Sequence, residues 1–285
     1  MNESTVVRRS VRWLPQWWTG VLLVAVCWPL NWLLPNSSMR TSYLFFPLWL
    51  GYILVVDGLV QSRSGSSLWT RSRADFVLLF LASAPVWWIF ELFNQRTANW
   101  EYLGANAFTP LQYFLLCTVC FSTVMPAVFE TAELVRSFEW VQRLRSGPRL
   151  VSTPRLQLGL FTAGGVMVAA TLLWPRYCYP FVWSSLVLLL EPINAALGRP
   201  HLLIPLGRGD WRPVLSLSLG ALICGFFWEM WNFYSYPKWI YHTPGAQFLH
   251  LFEMPLLGYG GYIPFALELY EVKNLLWPRS PRLQL

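Results

Sequence analysis

The chain has 285 residues, of which 55% are hydrophobic, 17% aromatic and only 12% charged, with 18 Trp and a net charge of +7. That charged share is about half the share in an ordinary globular domain, which excludes a disordered chain, a fibre and a soluble nucleic-acid binder. A water-soluble core this apolar would lack the polar surface to cover it, so the composition points to a polytopic membrane protein.

A helix rises about 1.5 Å per residue and the hydrocarbon core of a bilayer is about 30 Å thick. Eight apolar runs are long enough to cross or nearly cross it: 17–35, 42–61, 75–94, 111–134, 157–174, 178–197, 213–234 and 249–271. The first follows Arg8, Arg9 and Arg12 and so looks like a signal peptide. It is long, ends in Trp32 and Pro35 and has no small-residue cleavage site, so it is expected to stay as the first span. Between the fifth and sixth runs stand only Pro175, Arg176 and Tyr177.

The basic residues orient these spans. With the N-terminus inside, 17 Lys and Arg fall on the cytoplasmic side and only Arg40, Arg96, Arg176 and Lys238 on the other, as the positive-inside rule requires. The expectation is an inner-membrane protein with both termini cytoplasmic. Its net charge then reports topology and contact with anionic lipid rather than nucleic acid.

The chain repeats itself. At a shift of 138, Glu91 falls on Glu229, Asn94 on Asn232, Pro126 on Pro264, Glu130 on Glu268 and Glu133 on Glu271. At a shift of 139, Trp100 falls on Trp239 and Tyr102 on Tyr241; at 134, Asp57 falls on Glu191. The fold class expected is therefore all-α integral membrane, with a first four-helix repeat over 1–134 and a second over 157–285. An Arg-rich cytoplasmic linker, 135–156, joins them. Four spans per half is an even number, so the repeats should be parallel and related by an axis along the membrane normal.

Charged groups in a bilayer cost about 2.5–3.5 kcal/mol each on insertion scales, so acids kept at one place in both halves point to use. An outer layer holds Glu91 with Asn94 and Glu229 with Asn232, each pair three apart on one helix face. A short loop follows in each half, with Trp100 and Tyr102 in the first and Trp239 and Tyr241 in the second. His242, His250 and Glu253 occur in the second half alone. Two carboxyls in apolar surroundings suit proton donation, and aromatic faces stabilise a cation. The same residues also suit an interfacial aromatic belt and hydrogen bonds between the halves. An inner layer of Asp57, Glu130, Glu133, Glu191, Glu268 and Glu271 lies near Arg63, Arg136, Arg199 and Lys273, and snorkelling ion pairs are expected there. Cys117 and Cys120 share a helix face as buried small residues. No spaced His cluster supports a metal, and no phosphate loop or nucleophile elbow is present.

The layout resembles the small integral-membrane lycopene cyclases of the tandem cyclase-domain type. In that family an acid in one helix precedes a Trp-x-Tyr loop, and an acidic Pro-Leu-Glu-Glu type motif opens the next helix. Here Glu229, Trp239-Ile240-Tyr241 and Phe252-Glu253-Met254-Pro255 take comparable positions, and Glu91 with Trp100-Glu101-Tyr102 matches in the first half. The second Glu of the family motif and the Phe-Phe after it are missing, and 111–120 contains no acid. The resemblance covers roughly 75–134 and 213–272. It implies cofactor-free chemistry on an isoprenoid or carotenoid, in which an acid protonates a double bond and aromatics hold the carbocation. Glu253 would be the acid, with Glu229 and Glu91 as further catalytic carboxyls. Trp239, Tyr241, Trp100, Tyr102, Asn232, Asn94 and His242 would bind the substrate. The partners expected are membrane lipids and a hydrophobic small molecule; a homo-oligomer is left open. The rival functions are a transporter built around the paired Glu-Asn layer and a non-catalytic assembly protein. The extra polar groups of the second half favour an enzyme.

Overall fold

A computed structural model describes residues 15–34, 40–279 and 283–285. Arg8, Arg9, Arg12 and Arg282 lie outside the described residues. The chain is mostly helical. It opens with α1 (Pro15–Leu33), α2 (Phe45–Ser64), the short α3 (Leu68–Arg71) and α4 (Arg73–Thr97). A strand β1 (Trp100–Leu103) leads into α5 (Pro110–Phe121), α6 (Val124–Arg136) and the short α7 (Glu139–Gln142). Next come α8 (Pro154–Leu173), α9 (Pro175–Cys178), α10 (Ser185–Ala196), α11 (Leu203–Gly207) and α12 (Arg212–Phe233). The chain closes with β2 (Lys238–Tyr241), β3 (His250–Leu251), β4 (Met254–Pro255) and α13 (Tyr262–Leu276).

Local chemistry sets the helix starts. Ser72 caps α4 by accepting from the Asp75 N–H at 3.2 Å. Thr109 and Gln112 form a reciprocal capping box on α5, with Pro110 in its first turn. Thr153 caps α8, ahead of Pro154. The expected fourth span breaks at Ser122–Thr123, and Ser83 bridges the break. Its hydroxyl donates to the Phe121 carbonyl at 2.5 Å and accepts from the Met125 N–H at 3.0 Å. Both groups are buried and would otherwise be unpaired.

Five segments are long and apolar enough to cross a membrane: 41–64, 73–97, 110–136, 154–173 and 212–233. The other three expected spans fall short of that standard. α1 carries Trp17, Trp18, Trp28 and Trp32 and a buried Asn31. α10 has only 12 residues and follows a 3-10 turn over Tyr179–Trp183. The run 249–271 is not one helix: its first part is the β3–β4 hairpin and a 3-10 turn over Leu256–Gly261, and α13 is 15 residues long. The two small sheets also correct the all-helical expectation.

Small residues let the long helices approach. A Cβ added at Gly220 of α12 would sit 2.8 Å from the Ala132 backbone nitrogen of α6, so these two helices meet backbone to backbone. α1 and α2 meet in the same way at Gly20 and Gly51. The segment after α7 is pinned rather than free: the Gly147 N–H donates to the Gly209 carbonyl at 2.8 Å, and Trp211 Nε1 to the Pro148 carbonyl at 2.8 Å.

Candidate functional site

The two Trp-x-Tyr segments, distant in sequence, pair with each other. β1 and β2 form an antiparallel ribbon in which Trp100 faces Tyr241 and Tyr102 faces Trp239. Side chains alternate across a strand. The four aromatic rings therefore share one face of the ribbon, and Glu101 and Ile240 take the other.

The hydrogen-bond pattern explains the asparagines. The His242 N–H donates to the Asn99 carbonyl at 2.7 Å, so this pair is bonded across the ladder. Antiparallel pairs alternate, which turns the peptide groups of Trp100 and Trp239 away from the ladder and toward the helices. Asn94 meets the first: its Nδ2 donates to the Trp100 carbonyl at 2.8 Å and its Oδ1 accepts from the Trp100 N–H at 3.2 Å. Asn232 meets the second, with Nδ2 donating to the Trp239 carbonyl at 2.7 Å and Oδ1 accepting from its N–H at 2.9 Å. Both amides clasp the ribbon. Neither is in the wall of the aromatic cavity that the four rings line; each holds a strand of the ribbon in place.

The glutamates meet the polar atoms of these rings. Glu91 Oε1 accepts from Tyr102 at 2.6 Å, Trp87 Nε1 at 2.9 Å and Trp100 Nε1 at 3.2 Å. Glu229 is fully buried; its Oε1 accepts from the hydroxyls of Tyr241 at 2.7 Å and Tyr262 at 2.9 Å. The Tyr241 hydroxyl in turn accepts from Trp239 Nε1 at 2.9 Å. Burial first, and then the facing Glu229 carboxyl, push the Tyr241 phenol well above its ordinary value, so it stays an O–H donor.

The same aromatic rings line a cavity of about 540 Å³. Its wall is aromatic: Trp87, Trp100, Trp183, Trp228 and Trp239, with Tyr102, Tyr241 and Tyr262. Trp183 enters from the turn before α10, its ring stacked on Phe90 at 5.5 Å, and Trp228 stacks on Tyr262 at 5.9 Å. Cys117 and Cys120 of α5 line one end, and Thr41, Ser42, Asn99 and Lys238 supply the polar lining. Glu91 and Glu229 are not in the wall. They reach it through the hydroxyls of Tyr102, Tyr241 and Tyr262.

His242 and His250 do not join this group, and Glu253 borders it through Lys238. Glu253, at the β3–β4 turn, pairs with Lys238, so its charge is already matched. His242 Nε2 lies 3.0 Å from Glu101 Oε1, and both side chains are more than half exposed. His250 bonds the exposed Gln247. No family model, curated protein or solved structure matches this chain. Its chemistry is therefore read from these residues alone.

At the other end of the bundle, the inner acids are held mainly by backbone and short side chains, except Glu130, whose buried carboxyl oxygens have no hydrogen-bond partner among the described residues. Asp57 accepts from Ser67 Oγ at 2.9 Å and the Trp69 N–H at 3.0 Å, at the start of α3. Glu191 is bonded to His201 Nδ1 at 2.5 Å and the Leu202 N–H at 2.9 Å, at the start of α11. Glu268 accepts from the Leu186 N–H at 2.9 Å, and Glu271 from Asn194 Nδ2 at 2.6 Å. Glu133 has an ion pair, with Arg71 at 2.6 Å. The expected cations go elsewhere: Arg63 donates to Ser137, Arg199 to the Leu275 carbonyl and Lys273 to Asn274.

Tyr262, Trp87 and Trp183 are the site residues that sequence reasoning missed. No local pattern marked Tyr262, which opens α13 directly after the 3-10 turn over Leu256–Gly261. Among the described residues no group of His, Cys, Asp or Glu is placed to hold a metal ion.

Proposed function

We propose that the chain is a multi-pass membrane enzyme whose aromatic cavity takes an elongated apolar molecule, an isoprenoid or another lipid, for acid–base chemistry. The observation that carries this reading is the buried Glu229, hydrogen-bonded to two phenols that line the cavity. Glu229, in its acid form, gives up a proton through Tyr241 or Tyr262 to a double bond of the bound molecule, and a carbocation forms against the indole faces. Loss of a proton from a neighbouring carbon returns the proton to the carboxylate and leaves an isomerised or cyclised product. Glu229 takes the acid role that the lycopene-cyclase resemblance gave to Glu253, because Glu253 is matched by Lys238. Glu91 with Tyr102 offers a second, equivalent pair on the other strand.

The chain crosses the membrane eight times in this reading, with α1, α10 and α13 completing the set. Its arginine-rich end is cytoplasmic, and two parallel repeats meet at the β1–β2 ribbon. The matching Glu–Tyr and Asn–backbone contacts of the two halves support the repeats.

The test is a lipid and pigment profile of a host with and without the gene, repeated with Glu229→Gln, Tyr241→Phe and Glu253→Gln. Glu229→Gln should abolish any gene-dependent product while Glu253→Gln keeps it. Loss with Glu253→Gln and retention with Glu229→Gln would overturn the assignment. A second reading, an ion-coupled transporter, is favoured by the buried inner acids Asp57, Glu130, Glu133, Glu191, Glu268 and Glu271. It calls for gene-dependent solute uptake with no new product.

A further inference from the structure

Opposite the aromatic cavity, where α2, α6 and α7 end, lies a second and polar cavity of about 270 Å³. Its walls include Ser64, Glu133, Arg136, Ser137, Gln142 and Gln284. Three guanidinium groups converge there. Arg136 is in the wall; Arg63 Nε donates to Ser137 Oγ at 2.7 Å; Arg212 Nη1 donates to Gln142 Oε1 at 3.1 Å.

The acidic side chains nearby, Glu133 and Asp210, are already matched, and Val60 and Leu285 complete the wall. Glu133 takes both contacts of Arg71, at 2.6 and 2.8 Å, and the Gln284 N–H at 2.9 Å. Asp210 takes Arg212 in a fork, at 2.7 and 2.6 Å. Arg136 makes no ion pair among the described residues, and its Nη1, shut off from solvent, has no hydrogen-bond partner among them. A guanidinium nitrogen without water or acceptor is costly, and an oxyanion relieves it.

We propose that this pocket binds a phosphate group, held by Arg136 with the Ser64 hydroxyl beside it and the charges of Arg63 and Arg212 behind. A guanidinium fork matches a tetrahedral oxyanion, and its hydrogen bonds to a charged acceptor are the strong ones. The pocket's depth fits a lipid headgroup: Phe138, Trp140 and Leu144, just beyond α6, are exposed apolar residues of the kind that sit at a membrane interface. Free phosphate offers the same chemistry. The proposal does not depend on what the aromatic cavity does.

The test uses the full chain in nanodiscs of neutral phosphatidylcholine, titrated with inorganic phosphate or with chloride at matched ionic strength. A parallel set of discs contains phosphatidylglycerol. Melting is followed by tryptophan fluorescence, and retained lipid by native mass spectrometry. A saturable rise in Tm with phosphate and not chloride identifies the free anion. A rise and retained lipid only in phosphatidylglycerol discs identifies the headgroup. Either result supports the pocket if Arg136→Gln weakens the response at least about tenfold. Equal responses of wild type and Arg136→Gln, equal effects of phosphate and chloride with no lipid effect, or no response at all would each overturn it. If Arg136→Gln does not fold, Ser64→Ala in its place and the phosphate-against-chloride comparison on the unmodified chain decide the matter.

Discussion

Asn232→Ala tests the ribbon architecture directly. Asn232 is fully buried, and its amide satisfies both the N–H and the carbonyl of Trp239, at 2.9 and 2.7 Å. Those peptide groups point away from the ladder, so no strand partner can replace the amide. Each buried backbone group left unpaired costs about 1–3 kcal/mol, which makes the loss of two worth about 2–6 kcal/mol in stability. At roughly 2–4 °C per kcal/mol for a chain of this order of size, Tm should fall by roughly 4–24 °C. The assay is thermal unfolding of purified protein in detergent, with Gln95→Ala as the control, since Gln95 is exposed on the helix that carries Asn94. Asn94→Ala should cost less, because Asn94 is only half-buried. A Tm for Asn232→Ala equal to that of Gln95→Ala would refute the clasp.

Other outcomes follow from the same geometry. Arg71→Ala leaves the Glu133 carboxylate buried and should destabilise by about 3–5 kcal/mol; adding Glu133→Gln should recover much of the loss in a denaturation series. Gly220→Leu should part α6 from α12 and lower Tm sharply, while Gly165→Leu, where nothing lies within 4 Å, should not. The hydrogen bond from Arg212 holds the Asp210 carboxyl below its ordinary value near 3.8. This contribution is fully present above that value and is lost as pH falls through the depressed one. Asp210→Asn should therefore flatten the acid limb of a stability-against-pH profile and leave the neutral region's slope unchanged.

Helix content and the pairing of motifs were legible because both are local. A run of apolar side chains reports its own transfer free energy, so 75–94, 157–174 and 213–234 were found within a few residues of α4, α8 and α12. Glu and Asn three apart mark one helix face wherever that helix packs. The run 249–271 misled because hydropathy sums side chains and is blind to the backbone. Leu, Phe and Tyr there are as apolar in a hairpin and a turn as in a helix.

Length, composition and motif spacing by themselves determined an apolar helical chain with recurring Glu, Asn, Trp and Tyr. Only the tertiary structure decided what those residues face. Trp100 and Tyr241 meet because two loops form one ribbon, and Tyr262 reaches Glu229 because α13 packs against α12. Glu253 pairs with Lys238 of the cavity lining, on the strand that precedes its hairpin. A carboxyl's partners are set by contacts between elements far apart in the chain, and no local pattern of residues encodes them.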